Sequence, residues 1–278
     1  DTQTDRYTDR PWANDQATMT TSDLVLRTTK NRVTTVTLNR PEALNALSTG
    51  MKNAIITAFQ ALKEDAETDV IILTGAGRAF TAGLDLKELG QSGFSERTIG
   101  DLQEVVTGVG KPIIGAINGF AITGGFELAL MCDIMIGTPD TRFADTHVRM
   151  GVVPGWGLSQ RLATLIGRSR AMEMSLTGNY IDAETAEGWG LINRILPQLE
   201  LVPHCQGLAE SMLAGDHTTM QEVHRLIRFG QDHTLAEGIT EERRATQAHK
   251  GDKRPETLED RRLKVMDRGR EQVGGSDH

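Results

Sequence analysis

The chain has 278 residues, of which 38% are hydrophobic and 24% charged, and it carries a formal net charge of −8 at pH 7. That balance describes a soluble globular protein with enough apolar residues for a sizeable core. The acidic charge and the 4% aromatic content argue against a nucleic-acid surface, and no stretch approaches the roughly 20 apolar residues of a membrane span. Cys132 and Cys205 stand apart without metal-type spacing, which offers no metal site and fits a reducing, cytoplasmic setting better than a disulfide scaffold.

In chain order, residues 1–20 are polar, lack the apolar run of a secretory signal, and read as a flexible N-terminal arm. Two β-branched runs, Leu24–Thr28 and Val33–Leu38, flank Thr29-Lys30-Asn31-Arg32 and predict a hairpin. Asn39-Arg40-Pro41-Glu42 is a turn or loop. Ser48 is placed to cap a helix reaching about Asp65, with Ile55, Ala58, Phe59 and Leu62 on one face. Val70–Thr74 is a short apolar strand that ends in Gly75-Ala76-Gly77. A second glycine-bearing loop, Thr81-Ala82-Gly83, precedes a helix-like Leu84–Leu89.

The same outline recurs. Pro112–Ile117 reads as a buried strand, breaks at Asn118-Gly119, and reaches Gly124-Gly125 just before a helix-like Phe126–Cys132. Asp133–Gly137 is the next strand. Gly157–Ile166 and Ser169–Thr177 are helical, Asp182 caps a short helix through Gly188, and Leu191–Leu196 is a further strand. Strands alternating with helices predict an α/β protein with substantial parallel sheet. Beyond about residue 203 helical periodicity takes over, and Lys250–Gln272 is densely charged. The expected organisation is an arm at 1–20, an α/β core at 21–202 and a helical region at 203–278.

The segment Gly124-Gly125-Phe126-Glu127 carries the strongest chemical signal. Glycines let backbone approach a ligand closely, and the first turn of a helix presents unpaired N–H groups to negative charge. A carboxylate, Glu127, occupies that same turn, so an oxyanion donor and an acid or base stand side by side.

These blocks together resemble the crotonase, or enoyl-CoA hydratase/isomerase, superfamily. The likeness is carried by Val33 through Leu47, by Ala79-Phe80-Thr81-Ala82-Gly83-Leu84-Asp85-Leu86-Lys87-Glu88-Leu89, by Ile117 through Asp133, and by Gly151-Val152-Val153-Pro154-Gly155-Trp156-Gly157 with Gln160-Arg161-Leu162. The resemblance implies a spiral of repeated ββα units, a C-terminal helical trimerisation region, and a homotrimer or dimer of trimers. It also implies an acyl-CoA thioester substrate of fatty-acid type, with coenzyme A as part of the substrate and no further cofactor. An oxyanion hole is implied at the backbone N–H groups of Leu84 and Gly124, and CoA contacts near Ala43, Leu44, Ala82, Asp85 and Lys87. Lys87 could meet a CoA phosphate or be a plain exposed lysine.

The resemblance breaks at one informative place. Family hydratases use two glutamates around one water. Glu127 matches the first, but the second position is His147, and the nearby carboxylate Asp145 lies two residues out of register. Three readings follow. Glu127 and His147 share the acid/base work, in keeping with a histidine's near-neutral pKa; Glu127 acts alone; or His147 only shapes the pocket. Asp145 reads as a structural or capping residue and Trp156 as packing near the acyl pocket. The leading expectation is an enoyl-CoA hydratase, a lyase. The alternatives are an enoyl-CoA isomerase or acyl-CoA thioester hydrolase using Glu127 alone, or a catalytically silent acyl-CoA-binding protein.

Overall fold

The computed structural model describes residues 24–92, 101–249 and 254–274. The expected arm at 1–20 lies outside the described residues. Strands β1 (Val25–Lys30) and β2 (Val33–Leu38) pair antiparallel across Asn31 and Arg32, whose φ values of 51° and 63° give the twist of a tight two-residue hairpin turn. Helix α1 (Thr49–Glu64) starts where the Ser48 hydroxyl accepts from the Met51 N–H, and it buries Ile55, Ala58, Phe59 and Leu62 as its periodicity requires.

From there the chain repeats a strand–strand–helix turn. The first holds β3 (Val70–Gly75), β4 (Ala79–Thr81), α2 (Leu86–Ser92) and α3 (Leu102–Thr107). The second holds β5 (Ile113–Ile117), β6 (Phe120–Ile122) and α4 (Gly124–Ala129); the third holds β7 (Ile134–Gly137), β8 (Arg142–Ala144) and α5 (His147–Met150). Helices α6 (Leu158–Ile166) and α7 (Arg168–Thr177), strand β9 (Tyr180–Asp182), and helices α8 (Ala183–Gly188) and α9 (Gln198–Leu213) follow.

The first strand of each turn joins one sheet, ordered β1-β2-β3-β5-β7, and the second joins another, ordered β4-β6-β8-β9. Beyond the β1–β2 hairpin and the antiparallel β8–β9 pair, neighbouring strands run parallel. This is the spiral of ββα units that the sequence blocks imply. Glycines let successive turns pack closely: a Cβ on Gly125 would lie 2.3 Å from the Thr81 carbonyl oxygen, so α4 can sit against β4 only without a side chain there.

The larger sheet is buried on both faces, which explains its continuous apolar strands. Val36, Ile71, Leu73 and Ile117 point into one core with α1, α3 and α4, whereas Val33, Val70, Ile72, Ile114 and Ile136 point into a second. Helix α9 closes that second core with Leu201, Cys205 and Ala209. Burial there pushes the Cys205 thiol up to about 12, which makes it an inert packing residue. The boundary expected near residue 203 therefore falls inside a helix that packs on the sheet, and the first compact unit extends to Ala214.

Several local expectations are revised. Leu191–Leu196 forms no strand, only a bridge between Gly137 and Ile195. The helix expected from Leu84 begins at Leu86, and the helix expected from Phe126 begins earlier, at Gly124. The short strands β4, β6, β8 and β9 are too brief for a periodic signal, yet they build an entire sheet.

The second unit begins at Gly215 and contains α10 (His217–Asp232), α11 (Leu235–Ala248) and α12 (Pro255–Gly274). Asp216 caps α10, and a Thr234–Glu237 capping box starts α11. Arg225 joins these helices by reaching both Glu222 and Glu241 at 2.7 Å. Val223, Ile227, Leu235 and Val265 remain exposed.

Candidate active site

Three parallel strands bring the candidate residues together. β4, β6 and β8 end at Thr81, Ile122 and Ala144, and the segments leaving them emerge side by side at one edge of the sheet. The carboxyl ends of parallel strands are where α/β folds place their ligands. Leu84 leaves β4, Gly124 leaves β6, and Asp145 and His147 leave β8.

The first two exits touch through backbone. Gly83 has φ of +92°, and a Cβ there would lie 2.5 Å from the Ile122 carbonyl oxygen and 3.5 Å from the Gly124 nitrogen. Thr123 holds φ 52° and ψ −112°, costly for a β-branched residue by about 1–3 kcal/mol. It is secured by its N–H to the Ala144 carbonyl at 2.8 Å, by its carbonyl accepting from Glu127 N–H at 2.9 Å, and by a hydroxyl contact with Thr146. That conformation turns the chain from β6 directly into α4. Among the described residues, the N–H groups of Leu84 and Gly124 have no hydrogen-bond partner. Gly124 opens α4, where the helix dipole favours negative charge.

The loop after β2 is stitched to the same place. Ala82 N–H donates to the Leu44 carbonyl at 3.0 Å and Leu47 N–H to the Gly83 carbonyl at 2.7 Å. Ala43, Leu44 and Ala82 are thereby gathered on one half-buried rim beside Leu84. Asn45, which sequence reasoning passed over, anchors this loop: its buried amide donates to the carbonyls of Ala76, Ala79 and Phe80 while its carbonyl oxygen accepts from Arg40 N–H.

Asp85 and Lys87 separate. Asp85 is buried with one oxygen 2.6 Å from Arg40 Nη1 and the other accepting from the N–H groups of Lys87 and Glu88. The Arg40 hydrogen bond leads in holding the Asp85 carboxyl below its usual range, against the opposing effect of burial. Asp85 thus tethers the start of α2 to the β2 loop, while Lys87 is exposed on α2.

The acid/base groups lie in a row. Glu127 is 3% exposed, and its Oε1 accepts from the Trp156 backbone N–H at 2.7 Å. Its Oε2 is 3.5 Å from His147 Nε2, and His147 Nδ1 is 2.6 Å from Asp145 Oδ1. Burial works against a charged imidazole here, but the hydrogen bonds to Asp145 and Glu127 outweigh it and raise His147 from 6.5 to about 9. Burial likewise opposes the Asp145 carboxylate, and hydrogen bonds from His147 and Ser175 hold it below its usual range. The Trp156 ring and the partly buried Leu84 side chain both come within 3.4–3.6 Å of a Cβ placed on Gly124, forming an apolar wall beside the two amides. Sequence reasoning found Glu127 and His147 but not the Asp145 contact; the Asp-x-His spacing just past a strand end was its available signal.

Comparison with known proteins agrees with this geometry. The family model for enoyl-CoA hydratase/isomerase matches residues 28–259. A Dictyostelium discoideum protein named "Probable enoyl-CoA hydratase, mitochondrial" is 40% identical over 218 residues, covering 77% of this chain and 79% of its own length. The Mycobacterium tuberculosis enoyl-CoA hydratase crystal structure is 41% identical, with a TM-score of 0.68 over 81% of this chain and 98% of its own. The Bacillus anthracis enoyl-CoA hydratase structure is 31% identical with a TM-score of 0.78, covering 87% and 96%. With the spiral fold, the matched family model and these relatives in agreement, the chain belongs to the enoyl-CoA hydratase/isomerase family.

Proposed function

We propose that the protein is an enoyl-CoA hydratase that adds water across the C2–C3 double bond of a 2-enoyl-CoA, with Glu127 and His147 sharing the acid/base work. The observation that carries this reading is the buried Glu127–His147 pair, 3.5 Å apart, beside two unpartnered backbone amides. A protein that only bound acyl-CoA has no use for such a pair, since burying ionisable groups is costly.

In the proposed reaction the thioester oxygen sits between the N–H groups of Leu84 and Gly124. Each donor contributes about 2.7–4 kcal/mol as negative charge develops there. Glu127 takes a proton from water as the water oxygen attacks C3, and the electron pair moves through C2 to the thioester oxygen. His147 then delivers a proton from Nε2 to C2 as the enolate collapses. Glu127 returns its proton to His147 across their contact, so both groups regain their starting state and one water has been added. The scheme uses no metal and no redox group, and coenzyme A enters only as part of the substrate. Ala43, Leu44 and Ala82 form the proposed CoA rim, with Lys87 reaching a phosphate; Asp85 supports that rim through Arg40 instead of touching the ligand.

We assign a homotrimer or dimer of trimers, supported by the exposed Val223, Ile227, Leu235 and Val265 on the C-terminal helices. Cys132 and Cys205 form no disulfide, which favours a reducing compartment, and we assign the cytoplasm. Among the described residues, no helix is long and apolar enough to cross a membrane.

The deciding experiment follows the conjugated thioester absorbance with a panel of 2-enoyl- and 3-enoyl-CoA thioesters. Loss of signal with 2-enoyl substrates is expected. A rise with 3-enoyl substrates alone replaces hydration by isomerisation, and no change with either while the esters still bind overturns the assignment.

A further inference from the structure

Asp145 has no place in the scheme above, yet it is 1% exposed and ionisable, and a buried carboxylate is expensive unless its bonds are organised. Its bonds are organised around His147. One oxygen, Oδ1, is 2.6 Å from the ring Nδ1 and 3.3 Å from the His147 backbone nitrogen, and the Ser175 side chain on α7 also bonds the carboxylate. The charged groups facing the ring are Asp145 just ahead of it and Glu127 on α4; α7 contributes the neutral Ser175, while Arg149 on α5 turns its Nε to the Thr177 carbonyl.

We propose that Asp145 is a positioning residue that holds the His147 imidazole with its proton on Nδ1 and its Nε2 aimed at Glu127, allowing a histidine to serve as the second acid/base group. The inference rests on the hydratase reading of the same site. An imidazole ring can turn over and exchange its two edges, and only one orientation faces Nε2 toward Glu127. An ionised acceptor at Nδ1 selects that orientation and tautomer. The imidazole then gains and loses its working proton at Nε2 alone. Asp145 is bonded to the ring's far side and does not need to touch the substrate.

Asp145 also accepts from the His147 backbone N–H at the start of the short helix α5, so a merely structural role has to be separated from positioning. Asp145→Asn makes the separation, because its carbonyl oxygen still accepts from that N–H while the negative charge is gone. In the full chain we expect kcat with a 2-enoyl-CoA to fall about 10–100-fold with KM changed by no more than about twofold. The alkaline limb of the kcat/KM profile should move to lower pH, and the imidazole ¹⁵N titration midpoint of His147 should move down by more than one pH unit. Unchanged kcat, profile and midpoint would overturn the proposal. If the variant does not fold, the wild-type spectrum above the His147 midpoint decides: a neutral ring protonated at Nδ1 supports positioning, and a neutral ring with a bare Nδ1 and protonated Nε2 overturns it. A protein that turns over no enoyl-CoA yet shows the expected ¹⁵N shift keeps Asp145 as the holder of His147 and sinks the hydratase reading instead.

Discussion

The N–H groups of Leu84 and Gly124 and the side chains of Glu127 and His147 meet at one edge of the second sheet, but the chain secures them by different means. The amides are placed by backbone: the left-handed Gly83, the forced Thr123, and the register of β4, β6 and β8. The acid/base pair consists of side chains, with Glu127 accepting from the Trp156 backbone N–H and His147 bonded to the Asp145 carboxylate. A donor made of backbone tolerates changes of side chain above it, whereas a donor made of side chain does not. This accounts for a leucine at position 84 and gives position 147 its diagnostic weight.

Substitutions can break that contrast. Glu127→Gln is expected to lower kcat by about 10³-fold or more while leaving the Kd for a 2-enoyl-CoA within about threefold, measured by stopped-flow turnover and equilibrium binding. An unchanged rate removes Glu127 from the mechanism. His147→Ala should cost about 10²-fold in kcat; a rate near wild type would return the work to Glu127 alone. On the backbone side, Gly83→Ala forces a Cβ to within 2.5 Å of the Ile122 carbonyl at φ +92°. It should destabilise the fold by about 1–3 kcal/mol and lower kcat, seen as a reduced Tm together with slower turnover.

A pH prediction sharpens the electrostatic half. Because His147 is raised from 6.5 to about 9, the folded state keeps a proton that the unfolded chain gives up in between. Its contribution is fully present below pH 6.5 and is lost as pH rises through about 9, so the urea midpoint should fall across that window. His147→Gln should flatten that part of the curve; an identical slope in the variant would show that other groups cause it. The smallest effects belong to Leu84→Ala and Gly124→Ala. Both keep the N–H, and a Cβ on Gly124 meets Trp156 and Leu84 only at 3.4–3.6 Å, so kcat is expected within about fivefold of wild type. A hundredfold loss at either would mean that side-chain space, not the amide, is what the position supplies.

The legible parts of the fold were those with local signals. The hairpin at Asn31-Arg32, the Ser48 cap, the Asp182 cap and the apolar strands β3 and β5 follow from turn chemistry, capping and periodicity. The three-residue strands β4, β6 and β8 carry no period, because each owes its conformation to a neighbour in another turn of the spiral. Leu191–Leu196 shows the converse: an apolar run of strand-like composition with only a single bridge available to it. Helix α9 looked like the start of a helical appendage, although Leu201, Cys205 and Ala209 close the second core.

The sequence by itself determines the alternation of strands and helices, the glycines at the turns and the family, since contiguous blocks and local conformational preferences carry all three. It also exposes His147 as the departure from a two-glutamate site. Only the tertiary structure decides what that histidine is. Its ring lies between Glu127 from α4 and Asp145 from the end of β8, and the chain meets that arrangement only once β6 and β8 have paired in register. The tertiary meeting of the β2 loop with the segment after β4 likewise brings Asp85 to Arg40, while among the described residues the Leu84 and Gly124 amides have no hydrogen-bond partner.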